Sequence, residues 1–142
     1  MKSFFYIIII LIINSSFIAT SEGELVVEVT GLDVSKKGNL RIGVFKKNGF
    51  PDADKVHLGK IIPVTSSTMR VTISKLEIGT YGIAVLQDQD KNGKMTTNLV
   101  GYPVEPYGFS NNKFGKFGPP DFNDVSFTLK SGQSNYMKIN LK

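Results

Sequence analysis

The stretch Gly79-Thr80-Tyr81-Gly82-Ile83-Ala84-Val85-Leu86-Gln87-Asp88 decides the fold. Between Tyr81 and Leu86, the odd-numbered positions carry Tyr, Ile and Val, and the even-numbered positions carry Gly, Ala and Leu. An alternation with a period of two predicts a β-strand. Because both faces of this strand are apolar or small, we expect it to lie in the middle of the fold with both faces covered.

Other segments with the same period surround this strand. They occupy residues 25–30, 40–44, 69–74, 125–130 and 137–141. A weaker segment at 60–64 is restricted to a sheet edge by Pro63, and 131–133 is predicted to join the last two strands as a hairpin. The best helical candidate is 51–58. These elements predict an all-β fold, a single antiparallel β-sandwich of immunoglobulin-like or transthyretin-like type with about seven strands.

The first residues have the pattern of a secretory signal peptide. Lys2 gives a positive start, residues 4–13 are apolar apart from Tyr6, and small residues follow at 19–21. The apolar run is shorter than the roughly 20 residues that cross a bilayer. We therefore predict a cleaved signal peptide at 1–21 and a β-sandwich domain at 22–142. An uncleaved membrane anchor is the alternative. The predicted location is exported, in the periplasm or outside the cell.

Composition narrows the classes of function. The net charge is +5, but no dense basic run exists, which argues against a nucleic-acid partner. The chain has a single His and no Cys. The absence of Cys excludes a lipoprotein anchor and a thiol nucleophile. No Gly-x-Ser-x-Gly motif marks a serine nucleophile. We therefore predict a non-catalytic protein. We also expect a monomer with no membrane span once the signal peptide is removed.

Residues 87–124 interrupt the strand pattern. This segment is rich in Gly, Asn, Pro and aromatic residues, and a loop of such length in a compact domain is often functional. Its rings either line a groove for a flat apolar or sugar ligand, or fold inward and cap the open end of the sandwich. The predicted ligand-binding residues are Tyr102, Glu105, Tyr107, Phe109, Asn111 and Asn112.

The start of that segment matches the first half of a calcium-binding loop. Oxygen ligands at alternate positions suit calcium, and a glycine permits the sharp turn at the sixth position. The predicted ligands are Asp88, Asp90, Asn92, Lys94 through its carbonyl, and Thr96. Position 12 is Leu99, where a bidentate Glu is expected. Glu105 or another carboxylate of the long segment could complete the site. The alternative is a plain Asn-Gly hairpin turn that binds no ion.

Two motifs carry a family resemblance. They are Asp88-x-Asp90-x-Asn92-Gly93-Lys94 and Glu105-x-Tyr107-Gly108-Phe109-Ser110-Asn111-Asn112. With these motifs the chain resembles the bacterial exported family catalogued as domain of unknown function 2141, over roughly residues 24–142. The resemblance implies an exported β-sandwich and no agreed activity. Members of that family often carry Asp at the position of Thr96, so the resemblance also implies weaker metal binding here.

The sequence leaves three functional interpretations. The first is an exported, non-catalytic binding or accessory module that uses 87–124 as its contact surface. The second is a structural protein of the cell envelope with a calcium-stiffened loop. The third is a secreted enzyme, which would require two or more carboxylates in one concave pocket. Exposed rings at Tyr102, Tyr107 and Phe109 would favour the first interpretation, and buried rings a lid.

Overall fold

The computed structural model describes residues 21–132 and 134–142. The signal peptide predicted for 1–21 therefore lies, apart from Ser21, outside the described residues. In the described part of the chain, no helix has the length and apolar character needed to cross a membrane.

Two β-sheets confirm the predicted all-β sandwich. Their strands, within the described ranges, are β1 (Glu22–Thr30), β2 (Asn39–Phe45), β3 (Leu58–Pro63), β4 (Thr68–Glu77), β5 (Gly79–Asp88), β6 (Tyr107–Phe109), β7 (Phe127–Leu129) and β8 (Ser134–Asn140). The three-stranded sheet has the order β4-β1-β8. The five-stranded sheet has the order β3-β2-β5-β6, with β7 also paired to β5. One short α-helix, α1 (Phe122–Val125), and three 3-10 turns lie in the connections.

The core lies between the two sheets and follows the predicted alternation. Leu25, Val27 and Val29 of β1 are fully buried. They pack with the inward residues of the other strands, among them Leu40, Ile42, Val44, Ile73, Ile83, Val85 and Ile139. Because apolar area removed from water gains about 25 cal/mol per Å², this alternation fixes which face of each strand points inward.

Strand β5 lies in the middle of its sheet, as predicted, but its two faces are covered to different degrees. Its edges pair with β2 on one side and with β6 and β7 on the other. Its inward side chains, Tyr81, Ile83 and Val85, are buried in the core. On the outer face, Thr80 is exposed, Gly82 is buried, and Ala84 and Leu86 are half-buried. The outer face is therefore covered only in part.

The predicted hairpin of the last two strands is wrong. Strand β7 pairs with β5 in one sheet, whereas β8 pairs with β1 in the other, and the β1–β8 pairing is parallel. The chain crosses from one sheet to the other after Leu129. Alternation defines the buried face of a strand and says nothing of its partner, which is why the sequence pattern favoured the simpler local pairing. The other pairings are antiparallel.

Two further predictions need correction, and one is confirmed. The helix expected at 51–58 is reduced to a 3-10 turn, Ala53–Lys55, in which the Asp52 side chain accepts a hydrogen bond from the Asp54 N–H. The segment 87–124 is not an irregular loop throughout, because it contains the end of β5, strand β6 and the start of α1. The weak strand at 60–64 is β3, and it lies at the sheet edge as expected.

Gln87 holds the connection between β1 and β2 against β5. Its side chain is fully buried. Its Oε1 accepts from the Asp33 N–H (2.8 Å), and its Nε2 donates to the carbonyls of Asp33 (2.7 Å) and Lys37 (2.8 Å). These bonds satisfy three backbone groups of a 3-10 turn, Val34–Lys36, that buries no residue of its own.

We predict that Gln87→Leu lowers the free energy of unfolding by about 2–4 kcal/mol, because a backbone group left without a partner costs about 1–3 kcal/mol. Urea denaturation measures the change. The matched control is Gln89→Leu, two residues further on, where we expect a change within about 0.5 kcal/mol. Equal stability of the two variants would contradict the role given to Gln87.

Candidate functional site

The acidic loop, which we define as residues 88–96, wraps around the carboxylate of Asp88. Asp88 is the last residue of β5 and is fully buried. Its Oδ1 accepts from the Asn92 N–H (3.0 Å) and its Oδ2 from the Gly93 N–H (2.9 Å). Positive φ angles occur at Lys91 (60°) and Gly93 (82°), and not at Asn92. A two-residue Asn-Gly hairpin needs positive φ at both central residues, so that form of the turn is not present.

Asp90 accepts a second set of hydrogen bonds within this loop. Its Oδ1 accepts from the Asn92 N–H (3.0 Å), and its Oδ2 accepts from the hydroxyl of Thr96 (2.9 Å). The Asn92 side chain donates to the same Oδ2 and to Thr96 Oγ1. The backbone N–H of Asn92, followed by the Thr96 hydroxyl, lowers the pKa of Asp90 below its ordinary value of 3.8. These hydrogen bonds therefore favour the ionised form of Asp90.

Glu105 reaches this loop from the returning chain. It is 5% exposed, and its Oε1 accepts from the Gln89 N–H (2.7 Å) while its Oε2 accepts from the Thr96 N–H (2.9 Å). Asp88, Asp90 and Glu105 each offer one oxygen within 4.8 Å of the others. Leu99, at the twelfth position of the motif, is fully exposed. Glu105 therefore lies where the sequence motif itself supplies no carboxylate.

The predicted loop ligands do not all have the same surroundings. Asn92 is hydrogen-bonded to Asp88 and Asp90. Thr96 is hydrogen-bonded to Asp90 and Glu105. The Lys94 N–H donates to Asn92 Oδ1 (2.7 Å), and its side chain faces the neighbouring groove. The one cation paired with the carboxylates, among the described residues, is Arg41, whose Nη1 lies 3.4 Å from Asp88 Oδ2.

A groove lies on the outer face of the five-stranded sheet, beside this loop. Its floor follows from the strand register. Gly43 of β2 lies opposite Gly59 of β3 on one side and Ala84 of β5 on the other, and Ala84 lies opposite Phe109 of β6. Three strands thus present a row of residues with no side chain beyond Cβ. The Phe45 ring occupies the space over Gly43, where an added Cβ would meet Phe45 Cε2 at 2.7 Å. The row therefore leaves a depression on either side of that ring, at Gly59 and at Ala84.

Bulky rows and loops enclose the depression. The next row across the sheet is Ile61, Arg41, Leu86 and Tyr107. The walls come from Pro51, Ala53 and Val56 and from residues 93–95, 100–103 and 115–119, and the cavity measures about 990 Å³. This volume lies at the top of the range of about 300–1,000 Å³ that is usual for small-molecule sites.

The structure divides the predicted ligand-binding residues into two groups. Tyr102, Tyr107 and Phe109 all line the groove. Tyr102 is 68% exposed at its mouth and Phe109 is 8% exposed, with its ring against Phe50 and Phe114. Tyr102 is therefore exposed beside the groove, whereas Phe109 is buried against other rings on the outer face of the sheet. The ligand-binding role of these rings stays a prediction.

Glu105, Asn111 and Asn112 do not line the groove. The Asn111 side chain donates to the carbonyls of Asp124 (3.0 Å) and Ser126 (3.1 Å). The Asn112 side chain donates to the Lys138 carbonyl (3.1 Å) and accepts from the Asn140 N–H (2.8 Å), so it continues the β8 ladder in place of a strand residue. These amides hold the returning chain in place.

A second hollow, of about 590 Å³, is lined by Lys47 and residues 121–124. It contains two carboxylates, those of Asp121 and Asp124, both on the exposed surface. Paired acid–base catalysis needs two carboxyl groups whose environments push their pKa values apart. Asp121 directly precedes α1 and Asp124 lies in its first turn. The prediction of a non-catalytic protein stays a prediction.

The floor of the groove was missed in the sequence, although a signal for it was present. Gly43 and Gly59 each stand between larger residues at alternate positions, and Ala84 stands between Gly82 and Leu86. Small residues at matching positions of neighbouring strands indicate close approach or open space on that face. Only the register between the strands shows that the three are side by side.

One of three comparisons with known proteins gave a match, and that match covers most of the chain. A search of curated proteins and a search of solved structures each returned no match. A family model described as an uncharacterized protein conserved in bacteria, DUF2141, matches residues 27–137. This match includes all three strands of the groove floor, the acidic loop and the motif that contains Asn111 and Asn112. The chain therefore belongs to the DUF2141 family, as the resemblance of its motifs predicted.

Proposed function

We propose that this protein is an exported, non-catalytic binding module that takes an apolar small molecule into the groove of the five-stranded sheet. The single observation that carries the proposal is the apolar floor of this groove, formed by the row Gly59, Gly43 and Ala84 together with the Phe45 ring that lies against Gly43. The pattern of residues 1–21 supports export to the periplasm or beyond.

The surroundings of the floor support a ligand rather than a solvent-filled hollow. Apolar side chains dominate the walls, including those of Ile61, Leu86 and Met95. Concave sites lined mainly by apolar and aromatic residues are typical of small-molecule binding. Burial of apolar ligand surface gains about 25 cal/mol per Å², whereas water in the same space has few polar partners. The segment 87–124 contributes residues 93–95, 100–103 and 115–119 to the walls, which supports the proposal that it is a contact surface.

Gly59 allows this proposal to be tested without damage to the core. It is exposed on the edge strand β3, and a Cβ built there meets nothing closer than 3.6 Å. We predict that Gly59→Phe fills the floor and weakens the binding of the neutral fluorescent probe N-phenylnaphthylamine by about tenfold or more, a loss of about 1.4 kcal/mol. Fluorescence titration measures the affinity.

Gly59→Ala is the matched control, because it adds only the Cβ and keeps most of the cavity. We expect it to bind the probe within about twofold of the parent protein. Phe is favourable in a strand, so the melting temperature of Gly59→Phe should not fall. No binding by the parent, or equal binding by Gly59→Phe, would refute the proposed groove.

A calcium-stiffened loop is the second candidate function, and the convergence of three carboxylates favours it. Like charges within 5 Å repel each other, and two of the three are buried. Arg41 supplies one positive charge against them. Carboxylate, amide and hydroxyl oxygens, as offered here with Asn92 and Thr96, suit calcium. Backbone N–H donors also stabilise these carboxylates, so the calcium prediction stays a prediction.

We predict that calcium at about ten times its Kd raises the stability by about 1.4 kcal/mol, or the melting temperature by about 3–6 °C. Extracellular calcium-binding modules have Kd values near 10⁻⁴–10⁻³ M, so about 10 mM calcium is the test condition. Asp90→Asn should remove the shift, and Asp54→Asn, an exposed acid outside the loop, should retain it. An identical melting temperature with and without calcium would leave the loop as an ion-free turn.

A further inference from the structure

The charged residues that line the groove are all cations. They are Arg41, Lys60, Lys94, Lys116 and Lys142. No Asp or Glu occurs in the lining formed by the described residues. The chain as a whole has 12 acidic residues, but none of them lines the groove among the described residues. Positive charge is therefore concentrated in the groove lining. A cleft lined by charge of one sign concentrates the opposite charge.

Three of these cations have no partner of opposite charge. Arg41 is paired with Asp88, and Lys142 Nζ lies 3.8 Å from the centre of the Phe114 ring. Within the described residues, Lys60, Lys94 and Lys116 form no ion pair with a carboxylate, and all three are exposed. The rim of the groove therefore holds positive charge that the protein itself does not neutralise.

Large apolar side chains stand at the same mouth. Phe117 is fully exposed, Val100 is 76% exposed and Tyr102 is 68% exposed, and all three line the groove. Phe117 follows Lys116 directly in the chain. Exposed apolar residues beside a concave surface mark an interaction site. A ligand that uses both features must carry an apolar part and an anionic part.

We infer that the groove binds a single-chain amphiphile with an anionic head group, of the fatty-carboxylate class. The chain lies between Gly59 and Ala84, in contact with the Phe45 ring that lies against Gly43, and the carboxylate lies at the lysines of the rim. This inference rests on the proposed binding function and specifies its ligand. A flat bilayer surface would contact the projecting side chains and leave the recessed floor empty, so a monomeric amphiphile fits the cavity better than a membrane.

Three amphiphiles with the same chain test the head-group preference. The protein is expressed from its full coding sequence and purified in the form that the cell produces. Decanoate, decyl maltoside and decyltrimethylammonium are each titrated below the concentration at which they form micelles, by isothermal titration calorimetry. We expect decanoate to bind about tenfold more tightly than the neutral maltoside, and the cation to bind most weakly. Added salt should reduce the preference, because rim charges are screened.

Lysine variants distinguish the effect of the rim charges on binding from the effect of the protein's net charge. We expect the double substitution Lys94→Gln and Lys116→Gln to weaken decanoate binding by about fivefold and to leave maltoside binding unchanged. The control is Lys47→Gln with Lys130→Gln, two exposed lysines outside the groove lining. It makes the same change in net charge and should bind decanoate like the parent. Equal effects of the two pairs would overturn the assignment of the head group to this rim.

The outcomes distinguish this inference from the function on which it rests. Equal affinities for all three amphiphiles would refute the inferred preference for an anionic head group. The proposed binding of apolar molecules in the groove would still stand. An absence of binding to all three would refute the proposed function and the inference together. Binding to vesicles that contain phosphatidylglycerol, without binding of decanoate, would overturn the inference in favour of a membrane-docking face.

Discussion

The whole structure depends on the need to cover β5 on both faces. Its inner face is buried by the opposite sheet, and its outer face is also apolar, so the chain must return over it. The return is made by the residues between Asp88 and β7. Phe122 and Val125 lie so close to Gly82 that an added Cβ there would meet their side chains at 3.3 and 3.0 Å. At Ala84 the cover is incomplete, and the groove is the space that remains.

The two family motifs fix the returning chain at its two ends. At one end, Glu105 ties the backbone of Gln89 and Thr96. At the other, the buried Ser110 hydroxyl accepts from the Ile83 N–H (2.9 Å) and also donates to the Val125 carbonyl. Asn111 and Asn112 extend these bonds to α1 and β8. The motifs therefore position the groove walls, and Arg41 links the acidic loop to the groove because it pairs with Asp88 and lines the cavity.

The sequence predicted the parts of this account that depend on local pattern. Alternation over residues 79–88 predicted a strand covered on both faces, and the motif at Asp88 predicted an oxygen-rich loop that Glu105 could complete. The sequence could not predict the floor of the groove, since Gly59, Gly43 and Ala84 come from three strands and become neighbours only through register. The parallel pairing of β1 with β8 was missed for the same reason. The helix expected after Pro51 failed because a favourable first turn was not followed by an apolar face to bury.

The central claim is that the outer face of β5 next to Ala84 is accessible to a ligand. Nuclear Overhauser effects between bound N-phenylnaphthylamine and the methyl groups of the protein test it most directly. The account predicts contacts to the methyl groups of Ala84, Ile61 and Met95, all of which line the groove. Contacts confined to the outer face of the three-stranded sheet, or to interior methyl groups such as those of Ile73, would contradict it.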